Sequence, residues 1–245
     1  MEIFLLPETW VALLTLTFLE IVLGIDNIIF ISIVSNKLPQ HQQAKARNIG
    51  LSLALIFRIG LLLGITWIIT FTEPLFTLFS IDFSGRDLIL LAGGIFLIIK
   101  STLEIHEKME GEEHTGSTKT GGTMLSVIFQ IILLDIIFSF DSILTAIGLT
   151  DQLILMIIAV IVSIAVMMLF SKKISDFIGK HPTLEVLALS FLILIGFMLA
   201  IEALHYHVPK GYIYFAVFFS LVVEFLNMKM RKSKNPVKLK KRLKE

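Results

Sequence analysis

Apolar residues run in long blocks along almost the whole chain, and polar residues collect in short gaps between them. A bilayer core takes about 20 residues of helix. With that ruler the blocks predict about seven transmembrane helices, at 10–34, 49–70, 87–104, 124–148, 152–171, 184–204 and 211–230. Only the gap at 105–123 is long, and its Glu, His, Gly, Ser and Thr content predicts a flexible cytoplasmic loop. The Lys-rich stretch 231–245 predicts a basic cytoplasmic tail. The expected fold is all-α: a polytopic membrane protein whose transmembrane domain spans 1–230.

Two of the blocks carry the same polar interruption. Leu19-Glu20 is followed by Asp26-Asn27-Ile28 in span one, and Leu134-Asp135 by Asp141-Ser142-Ile143 in span four, with the same spacing. Charged side chains inside a bilayer are costly, so a repeated pair of them marks an ion or proton path before it marks architecture. Span four stands three crossings after span one and runs the opposite way. Spans one to three (10–104) and four to six (124–204) are therefore expected to form a 3+3 inverted repeat, an arrangement in which transporters hold substrate near the midplane. Span seven, 211–230, is one extra helix.

On one straight helix, Glu20 and Asp26 stand about 240° apart in azimuth and about 9 Å apart in height, too far for one ion. Antiparallel pairing of spans one and four would level Asp26 with Asp135 and Glu20 with Asp141, in two acidic layers about 9 Å apart. Gly24 and Ser139 hold matching places between the acids. Local unwinding there would expose backbone carbonyls and let Asp26, Asn27, Asp141 and Ser142 converge. These donors are hard oxygens suited to Mn2+, Ca2+ or Mg2+, and the residues alone do not separate the three. The competing reading is a buried polar network that holds helices together, with Arg58 of span two as counter-charge. Lys100, Glu202 and Glu224 are further candidates for the pathway or for charge balance.

Composition agrees with the pattern: 56% of residues are hydrophobic and the mean hydropathy is +0.87, well above soluble usage. Net charge is +1, which names no nucleic-acid partner. Cysteine is absent, removing disulfides, thiolate metal sites and cysteine nucleophiles. The first apolar run is too long for a cleavable signal peptide and follows Glu2 and Glu8 rather than lysines. No phosphate-binding glycine loop, G-x-S-x-G elbow or H-E-x-x-H is present, and span seven lacks a lysine in its apolar core for a retinal Schiff base. An intramembrane aspartyl protease, which also uses two acids, is the enzyme-class competitor to a protein that is not an enzyme. Lys37, Lys45, Arg47, Lys108, Lys172, Lys173 and Lys180 fall in alternate loops, which puts the N terminus outside and the C terminus in the cytoplasm.

With these residues, Lys37-Leu38-Pro39, Arg86-Asp87-Leu88, Glu104-Ile105-His106-Glu107 and Pro209-Lys210-Gly211-Tyr212, the chain resembles the TerC family of integral membrane proteins. The resemblance covers nearly all of the chain. It implies a multi-pass bacterial inner-membrane protein of the membrane-only branch, without C-terminal regulatory domains, and a distant relation to the lysine exporter superfamily. It also implies manganese export, with Glu20, Asp26, Asn27, Asp135, Asp141 and Ser142 as the metal pathway. Without a nucleotide site such export would be secondary, with proton exchange at the same carboxylates as the simplest coupling. The other function class left open is a membrane partner or scaffold of secretion or envelope machinery. The family's link to tellurium finds no thiol here to act on an oxyanion.

Overall fold

The computed structural model describes residues 5–78, 81–110, 123–150, 152–206 and 208–231. All of the predicted tail but Arg231, and most of the predicted loop, lie outside the described residues, as do the side chains of Asp26 and Asp141. Among the described residues, seven helices are long and apolar enough to cross a membrane: α1 (Pro7–Asn36), α2 (Gln40–Leu63), α4 (Gly85–Glu110), α5 (Met124–Ile147), α6 (Leu153–Gly179), α7 (Pro182–Glu202) and α8 (Lys210–Arg231). The short α3 (Ile65–Thr70) follows α2 after Gly64, and strands β1 (Pro74–Leu78) and β2 (Ile81–Ser84) follow it.

Most helices outrun the apolar blocks that announce them. α2 starts at Gln40, α4 continues to Glu110 and α6 to Gly179, because hydropathy marks the hydrocarbon core while good helix formers carry the helix on into the interface. Pro7 and Pro182 open their helices in the first turn, where the missing N–H costs nothing. Thr123 caps α5 by accepting a hydrogen bond from the Ser126 backbone N–H at 3.3 Å.

The β1–β2 hairpin corrects the expectation of a plain polar connection between spans two and three. Its strands pair antiparallel with Thr77 opposite Asp82, and the Thr77 hydroxyl donates to that carboxylate at 2.6 Å. Phe76 and Phe83 stack with ring centroids 5.5 Å apart. Aromatic and β-branched residues on facing strands favour this pairing.

Residues up to Val208 form one compact unit. Within it α1 packs on α6, α5 packs on α2, and α4 packs on α7. Exchanging spans one to three with spans four to six leaves that pattern unchanged, as an inverted repeat requires. The α4–α7 contact is close enough that a Cβ on Gly94 would strike the carbonyl oxygen of Gly196, and one on Gly196 would lie 2.7 Å from that of Gly94. Small residues let helix backbones meet in this way. Arg86–Glu202 at 2.6 Å and Lys108–Glu185 at 2.7 Å tie opposite ends of the same pair. The second unit contains α8, which carries exposed Phe215, Phe218, Phe219 and Phe225.

Candidate functional site

Halfway along the bundle, α2 delivers Arg58 between α1 and α5. Its Nη1 donates to Glu20 Oε2 at 2.6 Å, its Nη2 to Asp135 Oδ1 at 2.7 Å, and its Nε to the Ser139 hydroxyl at 2.9 Å. That hydroxyl in turn donates to Asp135 Oδ2 at 3.2 Å. Glu20, Arg58 and Asp135 are 4%, 2% and 6% exposed. A guanidinium suits this place because its planar fork serves two carboxylates with separate nitrogens and stays charged when buried. Counted as ionised, two carboxylates and one guanidinium leave one net negative charge.

Antiparallel pairing of α1 and α5 places Asn27 in one cavity with Asp135 and Glu20 in another with Ile143, within two residues of the levels that the acidic motifs predict. The two layers are not independent, however. Arg58 reaches between them and draws Glu20 and Asp135 onto one cation. The expected unwinding is also absent: α1 and α5 run unbroken through Gly24 and Ser139. Their roles are different. A Cβ on Gly24 would lie 2.5 Å from Met167 Sδ on α6, so Gly24 makes room for a neighbour, and Ser139 anchors Arg58.

Asn27 is 6% exposed, and its Oδ1 has no hydrogen-bond partner among the described residues. Ser101 Oγ and Gln130 Oε1 are left in the same state among the described residues, but the Asn27 oxygen alone lines a cavity with a buried acid, where a water or a cation would satisfy it. Asn27 and Asp135 line one small cavity with Phe30, Ile31 and Leu134, of about 10 Å3. Glu20 lines another of about 10 Å3 with Leu16, Leu62 and Ala146. Each has room for roughly one water. They lie on opposite sides of Arg58 along the bundle, the Asn27 cavity toward the end with the basic loops and the Glu20 cavity toward the hairpin end. Ser142 is buried and donates to the Ser139 carbonyl at 3.2 Å. Among the described residues no group of three or more Asp, Glu, His or Cys gathers at metal-binding distance.

Glu202 and Lys100 take other places in the same unit, and Glu224 belongs to the second unit. Glu202 pairs with Arg86 at 2.6 Å, beside the contact of His205 Nε2 with Asp87 at 3.1 Å, so it clamps a helix end. Glu224 lies on α8, 3.5 Å from Asn227 Nδ2. Lys100 is half-buried on α4 and is not among the groups bonded to Arg58.

Two features went unseen in the sequence. Arg47, 3% exposed, donates to Ser35 at 3.4 Å and Ser175 at 3.2 Å. Nearby, a polar cavity of about 500 Å3 is lined by Asn36, Gln43 and Ser175, by the acids Asp176 and Glu185 and by Lys108 and Lys180. The signal was available, since Arg47 and Arg58 are about three turns apart and share one face of an apolar helix. At this end Lys37 bridges Glu104 at 2.6 Å and Glu107 at 3.1 Å. Partial burial of Lys37 pulls its pKa down, but the two carboxylates outweigh it and hold the ammonium above the ordinary lysine value.

Residues 5–238 match the Integral membrane protein TerC family. The UPF0053 inner membrane protein YgdQ of Escherichia coli K12 is 55% identical over 231 residues, covering 94% of this chain and 97% of its own. A UPF0053 protein of Haemophilus influenzae is 52% identical over 227 residues, with 92% and 96% covered. The UPF0053 inner membrane protein YoaE of E. coli K12 is 49% identical over 234 residues, 95% of this chain but 45% of YoaE. No solved structure matches significantly. Buried intramembrane acids, seven apolar helices and a match along nearly the whole chain agree: this is a multi-pass protein of the bacterial inner membrane, and it belongs to the TerC family.

Proposed function

We propose that the protein is a secondary transporter that exports a hard divalent cation, with Mn2+ as the substrate the family resemblance favours. The observation that carries this reading is the meeting of one carboxylate from each half, Glu20 and Asp135, on the buried Arg58 guanidinium, with the Asn27 oxygen, unpartnered among the described residues, in a cavity beside Asp135. Intramembrane acids between inverted repeats are where transporters bind ions. Oxygen donors alone admit Ca2+ and Mg2+ as well. With the basic loops on the cytoplasmic side, the 500 Å3 polar cavity faces the cytoplasm, where an exporter loads. Asp26 and Asp141, six residues on from Glu20 and Asp135 in the sequence, are the further carboxylates of this reading, and proton exchange at the acids supplies the coupling. No catalytic step belongs to this reading.

A second reading, a membrane partner or scaffold of envelope machinery with a purely structural polar core, draws on the internal pairing of Arg58. Flux decides between them. Inside-out vesicles bearing the wild type are expected to take up Mn2+ in preference to Ca2+ and Mg2+, and vesicles bearing Asp26→Asn or Asp141→Asn at equal membrane level to lose that uptake. Wild-type vesicles that take up none of the three would remove transport and leave the scaffold.

A further inference from the structure

We propose that Arg58 is a tethered competitor for the transported ion: guanidinium and divalent cation take turns on Asp135, and the exchange keeps the site weak enough to release its cargo. This rests on the transport reading above and deepens it at the same site.

Electrostatics sets the problem. Glu20 and Asp135 together present two negative charges to a buried point, and a divalent cation placed between them without competition would be held tightly. Conduction and transport need binding that lets go. Arg58 supplies a positive charge that cannot diffuse away, cannot shed its proton and reaches both acids with different nitrogens. Asp135 can therefore be surrendered while Nη1 remains on Glu20. The guanidinium stays close by and returns when the ion leaves.

Geometry says where the ion sits during its turn. The Asn27 Oδ1 atom has no partner among the described residues, and it shares a cavity of about 10 Å3 with Asp135. An amide oxygen and a carboxylate are a fitting start to a hard-cation shell. The cavity is lined by Phe30 and Ile31, further along α1 than Asn27 and so nearer the basic loops, whereas the Glu20 cavity lies on the other side of Arg58. Ser139 acts as a positioning residue: by accepting from Nε and donating to Asp135 it favours the guanidinium's turn over the ion's.

The test uses purified full-length protein, with Mn2+ affinity measured in detergent and Mn2+ flux measured in proteoliposomes. Arg58→Met is expected to bind Mn2+ about tenfold or more tighter, because one opposing unit charge is gone at close range, while its flux falls about as much. Arg58→Lys, a point charge without the fork, is expected to fall between it and the wild type. Ser139→Ala is expected to tighten binding by about threefold with a normal detergent elution profile. Unchanged or weaker Mn2+ binding in these variants overturns the proposal; where Arg58→Met fails to fold, the same outcome in Arg58→Lys and Ser139→Ala does so. Wild-type flux with unaltered variants would discard the competitor alone. A wild type that neither binds nor moves Mn2+, Ca2+ or Mg2+ would discard the transport reading and the competitor with it.

Discussion

Arg58 and Asn27 meet the cost of burying polar atoms in opposite ways. Arg58 commits Nε, Nη1 and Nη2 to protein oxygens, whereas Asn27 keeps a buried acceptor without a partner among the described residues. An unsatisfied acceptor costs about 1–3 kcal/mol, so its replacement by an apolar side chain of similar size should not harm the fold. Asn27→Leu is expected to melt at or above the wild-type temperature in detergent without metal, yet to bind Mn2+ about tenfold more weakly, a trade of function for stability. A clear drop in melting temperature would show that Asn27 has a structural partner. At this scale the acids were legible in the sequence, because charge inside an apolar block is conspicuous. Ser139 as an anchor was not, since a lone serine in a helix is common and usually bonds back to its own turn. Its importance follows from α2 bringing Arg58 alongside, and that is a matter of packing.

Elements show a different balance between what the chain announces and what packing decides. The spans were legible because hydropathy reads the hydrocarbon directly. Their ends were not, and neither was the hairpin at 74–84, whose Leu, Phe and Ile residues extend the apolar signal of the preceding span without its length. Unwinding at Gly24 was a reasonable expectation from a glycine between two acids, but the gap it leaves is taken by Met167. Glycine content alone therefore does not reveal what a glycine is for. Gly94 and Gly196 mark a backbone crossing, and Gly196→Leu should push α4 from α7 and lower the melting temperature markedly, since overpacking costs about 1–3 kcal/mol or more. A Cβ added at Gly60 would meet nothing within 4 Å; Gly60→Ala should be neutral or stabilise by up to about 1 kcal/mol. Equal melting of both variants would deny the crossing its role.

For the whole molecule, two short acidic motifs were the ground for expecting an inverted repeat, although the halves share little else. The helix pairings are unchanged when the two sets of three spans are exchanged, which agrees with that expectation. Orientation is open to direct measurement because the chain contains no cysteine, so a single introduced thiol reports without background. An impermeant maleimide is expected to label Thr77→Cys on the hairpin in intact spheroplasts, and Lys172→Cys on α6 only after the membrane is permeabilised. The reverse pattern would turn the protein over in the membrane and make the 500 Å3 cavity face outward.

Ser139 meets Arg58 on one side of the bundle at the place where Gly24 meets Met167 on the other. Two identical chains assembled antiparallel about a two-fold axis would have to use one residue at both places. Two arginines would saturate the central acids with fixed positive charge, and two methionines would leave those acids without any. Joining the halves in one polypeptide frees them to diverge at this single contact, so that the centre of a nearly symmetric protein holds an odd number of cations.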